Sequence, residues 1–119
     1  MNFFTKLIRG RSEKIRVRVV RFDNEGFKVM LGDKTVGAVS WANVREVAGF
    51  KHDLWSYDEI CLGFRVEGSE NYAWSGEEDF GFEKFRAEVE RRFNLDPSWF
   101  MDIMVPAFEQ KWTRLWPRV

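Results

Sequence analysis

Alternation of apolar and polar residues runs through residues 15–75 and predicts a series of β-strands. Ile15, Val17 and Val19 alternate with arginines and Val20, as the side chains of a half-buried strand do. The two-residue period returns in further segments, which turn residues such as those at 23–26 separate from one another. These segments are 27–31, 35–41, 44–50, 59–66 and 71–74. The segment 59–66 is almost wholly apolar at its centre, which is typical of a central strand covered on both faces.

The period changes to that of an α-helix after residue 79. Four apolar residues recur at intervals of three and four: Phe82, Phe85, Val89 and Phe93. This spacing predicts a main helix over 79–94 with one buried stripe. The acidic run 77–79 lies at its N-terminal end, where the helix dipole favours anions. Asp96 and Pro97 then predict the start of a second, short helix over 97–105.

Strands followed by helices define the α+β class. We expect a curved antiparallel sheet of five to six strands, forming a partial barrel, followed by a main C-terminal helix and the short helix. The 119 residues are enough for one domain, 1–119, and an apolar content of 45% with 17% aromatic residues is ample for a core. An N-terminal arm at 1–10 and an aromatic tail at 106–119 complete this prediction.

The overall charge excludes some classes of partner. Nineteen basic residues balance nineteen acidic ones, so a globally basic nucleic-acid binder is not predicted. Phe3, Phe4, Lys6 and Arg9 suggest a membrane-surface module only weakly, because an arm of this length buries little area. The same charges interrupt any signal peptide, and no apolar run is long enough to span a bilayer, so we expect a cytoplasmic protein.

The distribution of the charges is more informative than their sum. Residues 1–21 contain seven basic residues and one acid, whereas residues 53–79 contain eight acids and one base. Two readings remain open. One charged face steers a charged partner, or the two regions neutralise each other within the fold.

Candidate chemistry is sparse. One histidine and one cysteine exclude a disulfide framework and a zinc site made of cysteines and histidines alone. His52 stands beside Asp53, but adjacent residues rarely face each other, so no catalytic pair is predicted. Cys61 lies between Ile60 and Leu62 and is expected to be a buried, inert thiol. We therefore predict no catalytic residue, no metal and no cofactor.

Tryptophans indicate the core and the candidate contact surfaces. We expect Trp41, Trp74 and Trp99 in the core. Trp112 and Trp116 in the tail are either core residues or part of an interface. The segment 52–58 is predicted to be a loop, and partner binding is predicted for this loop, for the acids in and beside it and for the basic first strand. The residues are Trp55, Tyr57, Asp53, Asp58, Arg16 and Arg18.

Several segments together resemble a group of small uncharacterised bacterial single-domain proteins. They are WANV at 41–44, GFKHD at 49–53, DEICLGF at 58–64, PAF at 106–108 and TRLW at 113–116. The order of strands before a helix is also similar to that of pleckstrin-homology-type barrels. Because toxin-neutralising immunity proteins include domains of this build, the resemblance implies a non-catalytic module that binds and neutralises or regulates one protein partner. A homodimer stays open, and the alternative is a small-molecule-binding or enzymatic barrel with His52, Asp53 and Glu59 near a pocket.

Overall fold

The described part of the chain folds into two antiparallel sheets and two helices. The structure, a computed structural model, describes residues 17–53, 58–105 and 112–117. In chain order the elements are β1 (Arg18–Phe22), β2 (Gly26–Leu31), β3 (Lys34–Ser40), a 3-10 turn (Trp41–Asn43), β4 (Val44–Asp53), β5 (Asp58–Val66), β6 (Tyr72–Gly76), α1 (Phe82–Arg92), α2 (Trp99–Met104) and β7 (Trp112–Trp116). The α+β class predicted from the sequence is confirmed.

The first sheet is a meander of three strands in the order β1-β2-β3. The Asp23 carboxylate fixes the turn between β1 and β2, because it accepts the backbone N–H groups of Glu25 at 2.8 Å and Gly26 at 3.1 Å. Such local bonds are the reason aspartate favours turns.

The second sheet has four strands in the order β6-β5-β4-β7. The strands β4, β5 and β6 follow one another as antiparallel neighbours, and β5 is covered on both edges. The strand β7 comes from the aromatic tail, after both helices, and pairs antiparallel with β4. The tail is thus a structural part of the sheet at 112–116.

A cluster of aromatic rings joins the two sheets to α1. Phe27 of β2, Phe64 of β5 and Phe85 of α1 meet with ring centroids 4.7 to 5.7 Å apart. The stripe predicted for the helix is confirmed for Phe82, Phe85 and Val89, which are buried. Phe93, its fourth member, is half-buried against the core as the C-cap residue, because the helix spans 82–92 and not 79–94. The burial of these rings, together with that of the aliphatic residues around them, removes apolar surface from water and stabilises the core.

Backbone hydrogen bonds also connect the first sheet to the segment before α1. The N–H of Val20 donates to the carbonyl of Phe80 at 2.9 Å, and the N–H of Phe80 donates to the carbonyl of Arg18 at 2.9 Å. A short parallel bridge therefore ties β1 to the start of the helix.

The expectation of one curved sheet with five to six strands is wrong. Among the described residues, seven strands form two sheets that do not close into a barrel, and α1 is followed by α2 and β7. The 3-10 turn at Trp41–Asn43 redirects the chain after β3, and the Trp41 ring packs on Phe27 with centroids 5.4 Å apart. The strand β4 consequently pairs with β5 and β7 instead of with β3.

Some predicted features lie outside the described residues. They are the arm at 1–10, Arg16, Trp55, Tyr57 and the tail positions 106–111 and 118–119. Within the described ranges, no helix has the length and apolar character needed to cross a membrane.

Candidate functional site

The face of the four-stranded sheet that points away from the core carries two clusters of side chains, one of aromatic rings and one of metal-ligand type. Ile60, Leu62 and Phe64 of β5 belong to the core, so the residues that alternate with them lie on the other, outer face. Residues opposed across an antiparallel pair share a face, which extends the outer face to the neighbouring strands. Its central residues are Phe50, His52, Glu59, Cys61, Gly63, Tyr72, Trp74 and Trp112.

Phe50, Tyr72 and Trp112 form an aromatic cluster on this outer face. The rings of Phe50 and Trp112 stack with centroids 5.2 Å apart, and Tyr72 meets Trp112 edge to face at 4.9 Å. Gly63 forms the floor between two of these rings. A Cβ at position 63 would lie 3.1 Å from Phe50 and 3.4 Å from Tyr72, so a larger residue would crowd both.

Polar neighbours fix the Tyr72 side chain at the border of the aromatic cluster. Partial burial, followed by hydrogen bonding to Glu46, raises the pKa of the Tyr72 phenol. Glu46 also accepts a hydrogen bond from Arg65 Nε at 3.2 Å. The aromatic cluster is therefore held by a network on the sheet, and Tyr72 stays a neutral hydroxyl near neutral pH.

His52, Glu59 and Cys61 form a donor cluster at the other end of the same face. The pairing of β4 with β5 places His52 opposite Glu59, and Cys61 follows Glu59 by two residues on one side of β5. His52 Nδ1 lies 3.8 Å from Glu59 Oε1, and the three ligand-type atoms lie within 4.8 Å of one another. Glu59 Oε2 accepts the backbone N–H of Glu78 at 3.1 Å.

Burial dominates the electrostatics of the donor cluster. The Glu59 side chain is only 6% exposed, and this desolvation raises its pKa, with further contributions from the charges of Asp79 and Glu78. Burial, followed by the nearby carboxylates, also raises the pKa of the Cys61 thiol, so the free thiol is protonated at neutral pH. The inert thiol predicted from the sequence is thus buried as expected, but it lies beside a histidine and a carboxylate.

The acidic run 77–79 has a different role from the one predicted. The helix α1 begins at Phe82, and Gly81 before it supplies no side-chain cap. The Glu77 carboxylate instead accepts the N–H of Ile60 at 2.9 Å. Asp79 accepts Arg18 Nε at 3.0 Å with one oxygen, and its other oxygen accepts Ser75 Oγ at 2.8 Å. Glu77 and Asp79 therefore act as hydrogen-bond acceptors for residues of the two sheets, and not as charges that interact with the helix dipole.

The structure assigns internal partners to two of the predicted contact residues. Arg18 bonds Asp79, donates to the carbonyl of Trp74 at 2.9 Å and lies 3.8 Å above the Trp74 ring. Asp58 lies 3.7 Å from Lys51 Nζ. Neutralisation within the fold is therefore confirmed for the pair formed by Arg18 and Asp79, and this basic strand residue does not point freely toward a partner.

The remaining predicted contact residues are not brought together by the described structure. Asp53 ends β4, with its backbone opposite Asp58, and its side chain lies outside the described part. Arg16, Trp55 and Tyr57 lie outside the described residues altogether.

Two of the three tryptophans expected in the core lie there. Trp99 is buried and Trp41 packs against the core, but Trp74 lies half-buried on the outer face between Arg18 and His52. Its position follows from the register, which places Trp74 opposite Gly63 of β5.

The tail tryptophans differ from each other in exposure. Trp116 packs on Phe93 with centroids 4.9 Å apart, whereas Trp112 stays 50% exposed within the aromatic cluster. The tail therefore contributes one tryptophan to the core and one to the surface. The aromatic cluster as a unit was missed because it needs the pairing of β7 with β4.

Comparison with known proteins finds no relative of this chain. No protein-family model, no curated protein and no solved structure matches the chain. The outer face of the four-stranded sheet is therefore the basis for the proposals that follow, and the resemblance to small bacterial proteins stays a prediction.

Proposed function

We propose that this protein is a non-catalytic module that binds one protein partner through the aromatic cluster. The observation that carries the proposal is the state of Trp112, which is 50% exposed although it touches two other aromatic rings. Large aromatic residues that are already ordered before binding are the commonest anchors at protein interfaces.

The position of the aromatic cluster on a sheet supports this function. Phe50 and Tyr72 lie on strands with paired neighbours, so they lose little conformational freedom when a partner covers them. Met101 of α2 is similarly exposed, but no described aromatic contact involves it. We therefore favour the aromatic cluster over the helix surface.

The edge of the sheet indicates the kind of segment that fits. The strand β7 is the last in the order of the described sheet and carries Trp112. An extended segment of a partner that pairs with β7 would place every second side chain over the aromatic cluster, as in β-augmentation. We propose that the partner presents such a segment with an apolar side chain.

The more specific parts of the proposal rest on the resemblance noted above. Neutralisation or regulation of one partner in an immunity-like manner, and a cytoplasmic location, stay predictions. The alternative of a ligand-binding barrel is less supported, because the described strands form two sheets that do not close and the space between them is filled by Phe27, Phe64 and Phe85.

Site-specific photo-crosslinking in the host cell tests the proposal. A photoreactive phenylalanine derivative replaces Trp112 in one variant and Met101 in a matched control, since both positions are exposed and apolar. We expect one protein adduct at position 112 and none at position 101. The captured protein is then identified, purified and titrated against the wild-type chain.

The dissociation constants from this titration show whether Trp112 is a specific binding residue or only crosslinks nonspecifically. For a hot-spot anchor, Trp112→Ala weakens the complex at least about 30-fold, equivalent to about 2 kcal/mol, whereas Met101→Ala leaves it unchanged. Equal affinity of wild type and Trp112→Ala, or equal adducts at both positions, would exclude the aromatic cluster as the binding surface.

A further inference from the structure

The donor cluster combines three kinds of metal ligand from one β-hairpin. Imidazole nitrogen, carboxylate oxygen and thiol sulfur come from His52, Glu59 and Cys61. The fold brings the three residues together. The register of β4 against β5 places His52 opposite Glu59, and the two-residue period of β5 places Cys61 on the same face as Glu59. Within the described part of the chain, the ligand atoms of these three residues lie within 4.8 Å of one another.

Gly76 of β6 provides the space into which the carboxylate and the thiol project. It lies opposite Cys61 in the sheet. A Cβ at position 76 would overlap the Glu59 carboxylate and would lie 3.0 Å from Cys61 Sγ. A side chain at position 76 would therefore fill the volume in which the two donors approach each other.

Negative charge lies within the donor cluster. Glu59 Oε2 accepts the N–H of Glu78 at 3.1 Å, so its carboxylate is held in place next to Cys61. Arg18 already pairs with Asp79 at 3.0 Å. The Glu59 carboxylate would therefore partly balance the charge of a cation bound at the donor cluster.

We propose that His52, Glu59 and Cys61 bind a divalent metal ion of the zinc type. A set of sulfur, nitrogen and oxygen donors suits a borderline-soft ion such as Zn²⁺ or Co²⁺ and disfavours Mg²⁺ and Ca²⁺, which require oxygen ligands. Tetrahedral zinc with Zn–N and Zn–O bonds of about 2.0–2.2 Å needs its nitrogen and oxygen donors about 3.3–3.6 Å apart. His52 Nδ1 and Glu59 Oε1 are 3.8 Å apart, and all three ligand atoms lie within 4.8 Å of one another, so small side-chain rotations would bring them to the distances that the ion requires.

The donor cluster meets solvent on the side of His52, where a fourth ligand to a bound ion would lie. The His52 side chain is 48% exposed, whereas Glu59 and Cys61 are buried, so the ion enters from the histidine side. Metal binding releases the thiol proton of Cys61 to solvent, and the metal–sulfur bond replaces the S–H bond. Trp74 meets the imidazole edge to face at 5.9 Å and helps to hold its orientation.

Titration of chelator-treated, metal-free protein with Zn²⁺ and Co²⁺ tests the proposal. We expect one equivalent to bind, a native mass increased by one metal ion, and a cobalt–thiolate charge-transfer band. His52→Ala should weaken binding on the order of 100-fold, because it removes one of three ligands. This variant is expected to fold, since the His52 side chain is half exposed. Glu67→Gln is the control, because Glu67 is exposed and pairs with Arg45 away from the donor cluster.

Two further variants examine the sulfur and the space around it. Cys61→Ser should abolish the charge-transfer band. Gly76→Ala should weaken binding, whereas Gly37→Ala in β3 should not, since a Cβ there meets only ordinary contacts. If Cys61→Ser does not fold, the cobalt–thiolate band of the wild type and its loss in His52→Ala, measured at the same cobalt concentration, test the metal site instead. No stoichiometric binding by wild type, or binding unchanged in His52→Ala, would overturn the proposal and leave the donor cluster as an ion pair beside a thiol.

Discussion

Replacing Asp79 tests whether the ion pair between the two charged regions supports the fold. Its side chain is 2% exposed and accepts hydrogen bonds from Arg18, from Ser75 Oγ and from the N–H of Gly76. Removing one partner of a buried ion pair typically costs about 3–5 kcal/mol. The lower end applies, because Arg18 is 24% exposed and keeps its bond to the Trp74 carbonyl. We expect Asp79→Ala to lower the free energy of unfolding by about 3 kcal/mol.

Urea unfolding followed by tryptophan fluorescence measures this free energy, and calorimetry measures the melting temperature. For a chain of this size, a loss of that magnitude corresponds to a melting temperature lower by about 10 °C. Asp79→Asn, which keeps the side-chain volume and one of the two acceptor oxygens, should lose less than Asp79→Ala. The matched control is Glu83→Ala, because Glu83 pairs with Arg86 on an exposed helix face and should change stability by less than about 1 kcal/mol. If Asp79→Ala is as mild as Glu83→Ala, the reasoning about this ion pair is wrong.

Two other predictions concern packing and pH. In Gly49→Ala the new Cβ would lie 2.8 Å from the Trp99 ring, so urea unfolding should show a loss of about 1–3 kcal/mol, whereas Gly37→Ala should be neutral or stabilising by up to about 1 kcal/mol. Equal stability of these two variants would contradict the packing seen at Gly49. Hydrogen bonds from the N–H groups of Glu25 and Gly26 lower the pKa of the Asp23 carboxyl below its ordinary value of 3.8. The ionised carboxylate therefore stabilises the fold above that pH, and this stabilisation is lost as the pH falls through the lowered pKa. The stability difference between wild type and Asp23→Ala, measured from pH 7 to pH 2, should therefore shrink on the acidic side, and a difference that grows there would contradict this sign.

Local patterns predicted the individual elements well. The apolar stripe of α1 and the alternation in β2 and β5 depend on neighbours along the chain, so the sequence is sufficient for them. For β1 the strand itself was predicted, but its faces were inverted. Val20, expected on the outer face with the arginines, is buried in the core at 3% exposure, whereas Val17 is 40% exposed. The division into two sheets depends on where Trp41 packs and on which strand covers β4, and both are contacts between distant residues. The strand β7 was not predicted because Phe108, Trp112 and Trp116 are spaced by four, as helix residues are.

The donor cluster shows the same boundary between local and distant information. The number of cysteines and histidines argues only against a zinc site built from those two residue types, and the donor cluster includes a carboxylate. Glu59 and Cys61 are two apart on a clear strand, and their shared face was available from the sequence. The position of His52 opposite Glu59 could not be predicted, because the region 52–58 was expected to be a loop. In the structure, β4 extends to Asp53 and β5 begins at Asp58. Extending both strands by the observed residues places His52 opposite Glu59.

The late position of β7 in the sequence has a consequence for biosynthesis. The strand β4 is translated well before β7, and the two are separated by β5, β6 and both helices. Until residues 112–116 emerge from the ribosome, the edge of β4 that β7 will cover has no strand partner in the described fold. Nascent chains that stall earlier therefore present an open strand edge next to Val47 and Ala48, which makes them prone to intermolecular pairing. Emergence of residues 112–116, rather than folding of the first sheet, is the step at which this edge becomes protected.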